Sequence, residues 1–291
     1  MLNLLMCMDS NYLDKACTML FSLRRHTKEE ATVYLMNHSL QTDEIASFRQ
    51  YLEKRCKMVL EIVNVQDDIF NAFPSELGHY KIEMYYRILA QFLLPATLDR
   101  VLWLDADIIV MKDVAPFYHQ EFEDNMLVVC PDSNNGLPDV QNCIHTLGLP
   151  EDHVYFNSGV LLMNLEQLRE KTKSQEILQQ CHSLKDKLTY PDQDLLNVLY
   201  ANQVKYAPWK QYNYQVGMCK RIPKEDIKQI VILHYTSYKK PWNYVYLTSS
   251  SRYYWKVRFK QGDRAATLKA YRNKLIDIIV PAWKEIKDVF F

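Results

Sequence analysis

At 291 residues the chain has the length of one large α/β domain or two small ones, and either could bury a full core. Lys+Arg 35 cancels Asp+Glu 35, and with 48% hydrophobic and 24% charged residues the composition is that of an ordinary globular protein, which excludes a disordered or fibrous chain and argues against nucleic acid as a partner of the whole surface. The seven cysteines are odd in number, widely spaced and without a CxxC pair, so most read as buried free thiols rather than as zinc ligands or a redox couple.

The first apolar run, LNLLMCM (2–8), is of strand length, and Tyr12 to His26 follows with Leu13, Ala16, Cys17, Leu20 and Leu23 at helical spacing. The pattern repeats as ATVYLMN (31–37) with a helix near 41–55, then MVLEIVNV (58–65) with a helix near 81–94, then RVLWLDADIIV (100–110) as the next strand. Strands alternating with helices predict an α/β fold with a Rossmann-like, mostly parallel central sheet. Helices would cover both faces, and the ligand site would lie beyond the C-terminal strand ends, where Asp9 and Asp105 stand.

After Pro116 the order is mixed: MLVVCPD (126–132) and YFNSGVLLMN (155–164) read as strands, Leu165 to Leu188 as helix, and IKQIVILHY (227–235) as a late strand, so antiparallel additions to the sheet are expected. No linker or repeat marks a domain boundary. From Arg252 to Lys274 eight Lys and Arg face a single acid, Asp263, with Tyr253, Tyr254, Trp255 and Phe259 among them. This tail is expected to be helical and reads equally as a helix packed on the domain or as a peripheral contact with an anionic membrane. The start, MLNLLMCMDSNY, reaches Asp9 before a signal-peptide core could form, and no run of about 18 apolar residues occurs. A cytoplasmic location, peripheral on the inner membrane face if the tail binds there, is the expectation.

Six glycines form neither GxGxxG nor GxxxxGK[ST], so phosphates would have to be held another way. Asp105 and Asp107 interrupt an apolar run, where two unpaired like charges would be costly. Spaced i,i+2 on an extended segment, both carboxylates would share a face and converge on one cation, and oxygen ligands suit Mg²⁺ or Mn²⁺ bridging to a substrate's phosphates. Two exposed turn acids are the plain alternative. A haloacid-dehalogenase-like phosphatase also opens on an Asp-x-Asp strand, but Ile109 stands where that family wants Thr or Val. His234 ends the run IVILH and could be a third ligand, with Lys240 nearby to neutralise phosphate; either could equally be structural.

Taken in order, MCMDSNY (6–12), YYRILAQFLLP (85–95), VLWLDADIIV (101–110), YFNSGVLLMNL (155–165) with YPDQDLLN (190–197), and HYTSYKKPW (234–242) resemble the family 8 retaining glycosyltransferases, similar to bacterial lipopolysaccharide galactosyl- and glucosyltransferases and more distantly to glycogenin. The resemblance implies a GT-A catalytic domain over 1–245, with 246–291 as a basic, aromatic helical extension for packing, acceptor or membrane contact.

It also implies Mn²⁺ (or Mg²⁺) held by Asp105, Asp107 and His234, which in turn would hold the diphosphate of UDP-galactose or UDP-glucose. Cys7, Asp9, Asn11 and Tyr12 match positions that contact uracil and ribose; Asp9 could also be a plain helix N-cap. Ala106 replaces the usual hydroxyl residue beside ribose. Arg87 matches a residue that contacts the donor sugar and the acids, rather than a surface arginine. Asn157, Ser158 and Gly159 match the loop lining the donor sugar, and Asp192 and Gln193 match residues that bind sugar hydroxyls at the reacting carbon. Ser237 stands where the family commonly has Gly at the diphosphate, and Lys240 would face the departing phosphate.

The reaction implied is transfer of the hexose with retention to a glycan, glycolipid or glycoprotein acceptor. Gln193 is a poor nucleophile, which favours a front-side path, with Asp192 or Asp194 as the covalent alternative. A catalytically inactive nucleotide-sugar or glycan-binding module is the competing reading from another class. Trp209, Tyr212 and Tyr214 are either sugar-facing platforms or core aromatics.

Overall fold

The computed structural model describes residues 1–65, 82–216, 221–236, 238, 240–243 and 248–274. The first half holds β1 (Leu2–Cys7), α1 (Leu13–His26), β2 (Ala31–Asn37), α2 (Thr42–Tyr51) and β3 (Val59–Asn64). A 3-10 helix (Ile82–Leu89) then leads into α3 (Ala90–Leu93), β4 (Arg100–Leu104), β5 (Ile108–Val110), α4 (Ala115–Tyr118), β6 (Leu127–Pro131) and α5 (Pro138–Leu147). The second half holds β7 (Phe156–Asn164), α6 (Leu165–Lys171), α7 (Ser174–Leu184), α8 (Pro191–Leu199), β8 (Val204–Tyr206), α9 (Trp209–Tyr212), β9 (Tyr214–Gln215), α10 (Lys224–Ile227), β10 (Ile232–His234) and α11 (Ser251–Gln261).

Seven strands form the central sheet in the order β3-β2-β1-β4-β7-β6-β8. The stretch β3-β2-β1-β4 is parallel throughout, β7 runs antiparallel to both β4 and β6, and β8 is parallel to β6. The expected βα half and its antiparallel additions are therefore both present. Period-2 alternation divides the core: Leu4, Leu102, Leu104 and Leu162 face a cluster with Met19, Leu20 and Leu23 of α1 and Phe48 of α2. Leu5, Val101, Trp103 and Leu161 face the opposite cluster, with residues of α5, α6, α7 and α8.

Several boundaries differ from the sequence reading. The expected single strand 100–110 is two strands in two sheets, because the polar Asp105–Asp107 turn stops β4 and sends β5 to pair with β10. The helix expected near 81–94 is mostly 3-10, and the one over 165–188 is two helices broken at Thr172. The late strand shrinks to β10, since α10 takes up Ile227. α8 went unread as a helix, although Pro191 at its first turn marks the start.

The second sheet, β5-β10-β9, positions the site. Antiparallel pairing sets His234 opposite Ile108, and Tyr235 N donates to Asp107 O at 3.1 Å, so two stretches far apart in sequence meet edge to edge. On the other side Asp105 N donates to Gly159 O of β7 at 3.0 Å.

The C-terminal segment is helical over 251–261 and again over 264–274, with Gly262 at φ 112° ending α11. Tyr254 and Trp255 are buried, Trp255 Nε1 donates to Pro241 O at 2.8 Å, and Gln261 Oε1 accepts from Thr18 of α1 at 2.9 Å. These aromatics are therefore core residues of a packed helix. The apolar end 275–291 lies outside the described residues, as do Ser237 and Cys219. Among the described residues no helix is long and apolar enough to cross a membrane.

Candidate active site

The ends of β4, β7 and β10 and the first turn of α8 converge on Asp105, Asp107 and His234. One ligand atom from each of these three lies within 4.8 Å of the others. Asp105 and Asp107 do not converge through an extended segment, as expected, but through a turn, with Ala106 between them packed on the core.

Each of the three has one polar atom held and one turned inward. Asp105 Oδ1 accepts from Trp103 Nε1 at 2.8 Å and lies 3.2 Å from Arg87 Nη2. Asp107 Oδ2 lies 2.5 Å from Lys240 Nζ. His234 Nδ1 lies 2.9 Å from Asn213 Oδ1. The inward atoms are Asp105 Oδ2 and Asp107 Oδ1, at 3.8 and 3.1 Å from His234 Nε2. Asp107 Oδ1 is buried without a hydrogen-bond partner.

A divalent ion fits this donor set, since about 2.1 Å to each ligand holds neighbouring ligand atoms about 3 Å apart and two carboxylates with an imidazole suit Mn²⁺ or Mg²⁺. Gly159 leaves the room: a Cβ there would collide with His234 Cε1 and stand 2.8 Å from Asp105 Oδ2. Burial alone would raise the Asp107 carboxyl, but the Lys240 ammonium and the His234 ring hold it well below the ordinary carboxylate range. Lys240 is pushed the other way: burial would lower it, and Asp107 raises it above a normal lysine.

Arg87 is 5% exposed, and its 3-10 helix is fixed by the buried neighbours Tyr85, Tyr86, Ile88 and Leu89. It bridges Asp105 and Asp192, whose Oδ2 lies 3.3 Å from Nε, donates to Ser158 O at 2.7 Å, and stacks 4.1 Å from the Trp103 ring. Burial raises the Asp192 carboxyl, with Arg87 opposing.

Gln193 Oε1 accepts from Asn157 Nδ2 at 2.9 Å and Ser158 N at 3.0 Å. Asp194 faces elsewhere: its oxygens accept from Tyr155 OH, Thr189 N and Tyr190 N, anchoring the start of α8, and burial raises its carboxyl. The structure thus does not bring Asp194 to the Asp105–Asp107–His234 group, because the backbone before α8 takes one of its oxygens and the Tyr155 hydroxyl the other.

Beside this group a cleft of about 550 Å³ is lined by Asn11, Tyr12, Lys15 and Trp242 among others. Tyr12 meets Trp242 edge to face at 5.8 Å. Burial raises the Tyr12 hydroxyl, with Lys240 opposing and Asp107 adding to the rise. Asp9 Oδ2 accepts from Asn11 at 3.3 Å and makes no side-chain cap, so the plain N-cap reading fails. Cys7 is half-buried at the end of β1.

Residues the sequence reading passed over complete the site. Asp132, just past β6, accepts from Gln193 Nε2 at 3.3 Å; its place after a strand's C-terminal end was a usable signal. Asn213, fully buried, was hidden among aromatics that pack into the core: Tyr212 lies 4.8 Å from Phe117, and Tyr214 OH donates to Asp226 at 3.1 Å.

A sequence model described as Glycosyl transferase family 8 matches residues 3–245. The chain is 26% identical over 262 residues to a lipopolysaccharide 1,2-glucosyltransferase of Escherichia coli K12, covering 87% of this chain and 76% of that one. It is 25% identical over 248 residues to the glycosyltransferase GlyE of Streptococcus pneumoniae, covering 81% of this chain and 55% of that one. Among solved structures, the galactosyltransferase LgtC in complex with donor and acceptor sugar analogs has a TM-score of 0.76 at 22% identity, covering 89% of this chain and 96% of that one. Mouse xyloside xylosyltransferase 1 has a TM-score of 0.58 at 17% identity, covering 81% and 97%. The fold is the GT-A fold of these glycosyltransferases.

Proposed function

The chain belongs to glycosyltransferase family 8, and from that premise we propose that it is a metal-dependent retaining hexosyltransferase. It would move galactose or glucose from UDP-galactose or UDP-glucose to a glycan acceptor of lipopolysaccharide or lipooligosaccharide type, forming an α-linkage. The observation that carries this reading is the inward trio Asp105 Oδ2, Asp107 Oδ1 and His234 Nε2, each held from behind by Arg87 with Trp103, Lys240 and Asn213. The acceptor class rests on the name of the E. coli relative. Residues 1–245 form the catalytic domain in this reading and 246–291 a basic, aromatic extension for packing, acceptor or membrane contact, the last on the cytoplasmic side.

A bound Mn²⁺ or Mg²⁺ would supply positive charge at the donor's diphosphate. Lys240, already desolvated, offers a second charge to the departing phosphate. Cys7, Asp9, Asn11 and Tyr12 take the nucleoside at the end of β1, with Ala106 beside the ribose and Ser237 at the diphosphate. Asn157, Ser158, Gly159, Asp192 and Gln193 surround the hexose, with Arg87 fixing Asp192. Gln193 Oε1 already holds two donors, Asp192 is paired with Arg87 and Asp194 is committed to the helix start, which supports a front-side path over a covalent one. In that path the bond from C1 to the UDP oxygen breaks, the acceptor hydroxyl adds to the same face, and its proton passes to the departing phosphate oxygen.

The test is UDP release from a panel of nucleotide sugars with Mn²⁺, Mg²⁺ or EDTA. Release from UDP-galactose or UDP-glucose that EDTA abolishes is expected. Metal-dependent binding of a UDP-sugar with no release, whatever the acceptor, would replace this reading with the inactive module; phosphate release from small phosphoesters would revive the phosphatase.

A further inference from the structure

Behind His234 runs a chain of carboxamides whose polarity is set by a backbone group. Gly159 N donates to Asn157 Oδ1 at 3.0 Å, and because a backbone N–H can only donate, that atom must be the oxygen. Asn157 Oδ1 also meets Asn213 at 2.9 Å, so the Asn213 atom there must be the Nδ2 donor. Asn213 Oδ1 is then the atom that faces His234 Nδ1 at 2.9 Å, and an acceptor there requires a proton on Nδ1. The far end is fixed independently: Ser158 N donates to Gln193 Oε1 at 3.0 Å, so Asn157 turns its Nδ2 to the same atom at 2.9 Å. Asn157, Asn213 and His234 are all buried, leaving water little part in this order.

We propose that Asn213 is a positioning residue that holds His234 as the Nδ1–H imidazole, so that Nε2 presents its lone pair to the ion, and that it ties this ligand through Asn157 to Gln193 in the sugar pocket. The proposal rests on the metal-dependent reading above for its purpose, but not for its geometry. An imidazole can ligate through either nitrogen, and the hydrogen bond made by one selects the other. The chain thus reaches from the cation site to the reacting sugar without a break, and a shift at Asn213 would be felt at both.

The experiment is ¹⁵N NMR of the histidine side chains in the metal-free protein, with His234 assigned by loss of its signal in His234→Gln, combined with Mn²⁺ titration in the presence of UDP. In the wild type, Nδ1 is expected to resonate as a protonated, pyrrole-type nitrogen. Asn213→Ala is expected to release the alternative tautomer and weaken Mn²⁺ by about 10–100-fold. Asn213→Asp, which keeps an acceptor for Nδ1 but loses the donor to Asn157, should retain the tautomer and most of the Mn²⁺ affinity while raising the KM for the donor sugar. A bare, pyridine-type Nδ1 in the wild type overturns the proposal without requiring any variant to fold, as does an Asn213→Ala protein with unchanged tautomer and affinity. Equal Mn²⁺ binding by wild type and Asp105→Asn would instead overturn the metal reading itself, a signature the tautomer measurement does not share.

Discussion

Strand β4 carries an aspartate at each end, and the two have opposite surroundings. Asp99, just before its start, has a side chain 61% exposed that accepts from the neighbouring Arg100 N at 2.8 Å and lies 3.5 Å from its Nε. Asp105, at its end, is gripped by Trp103 and Arg87 and faces Asp107 and His234. Like charges in water cost little and contribute little. The same charges inside a protein demand partners, and beside Asp105 the buried Asp107 Oδ1 has no hydrogen-bond partner. The C-terminal rim of the sheet is thus built around an unfilled need for positive charge, and the N-terminal rim is ordinary surface.

The largest effect that would break this contrast is Asp105→Asn. UDP release should fall by about 10²–10³-fold, the loss typical of removing one electrostatic group from a transition-state site. Its melting temperature should hold, because the amide oxygen can still accept from Trp103. Gly159→Ala comes next: the added methyl pushes His234 and Asp105 apart, and a displacement of about 1 Å in a reacting site costs about 10²-fold, read as UDP release and Mn²⁺ affinity together. Arg87→Lys keeps the charge but loses the fork between Asp105 and Asp192 and the stacking on Trp103; about 1–3 kcal/mol of stability and about tenfold in UDP release should go, measured by denaturant unfolding and steady-state rates. Asp99→Asn sharpens the contrast from the other side, with stability unchanged within about 0.5 kcal/mol and UDP release unaffected.

Much of this was legible in the sequence. The apolar runs of β1, β4 and β7, the alternation of strands with helices and the spacing in α1 mark the layers, and acids just past strand ends mark the rim. The Asp105–Asp107–His234 group was readable because Asp105 and Asp107 violate an apolar run and His234 ends one. What stayed hidden depends on contacts across the chain. Ile108 to Val110 look like more of β4, yet pairing with β10 draws them into another sheet. Asn213 and Asp132 look like any loop Asn and Asp, since a buried polar side chain differs from an exposed one only in its partners. Asp194, which the sequence offers as a nucleophile, accepts hydrogen bonds from the turn before α8 and from Tyr155, partners that its place in the sequence does not announce.

Anomalous diffraction from crystals grown with Mn²⁺ and UDP tests the central claim most directly. One Mn²⁺ peak is predicted within bonding distance of Asp105, Asp107 and His234 Nε2, with the diphosphate on its open side. A peak elsewhere, or one touching His234 through Nδ1, would contradict it.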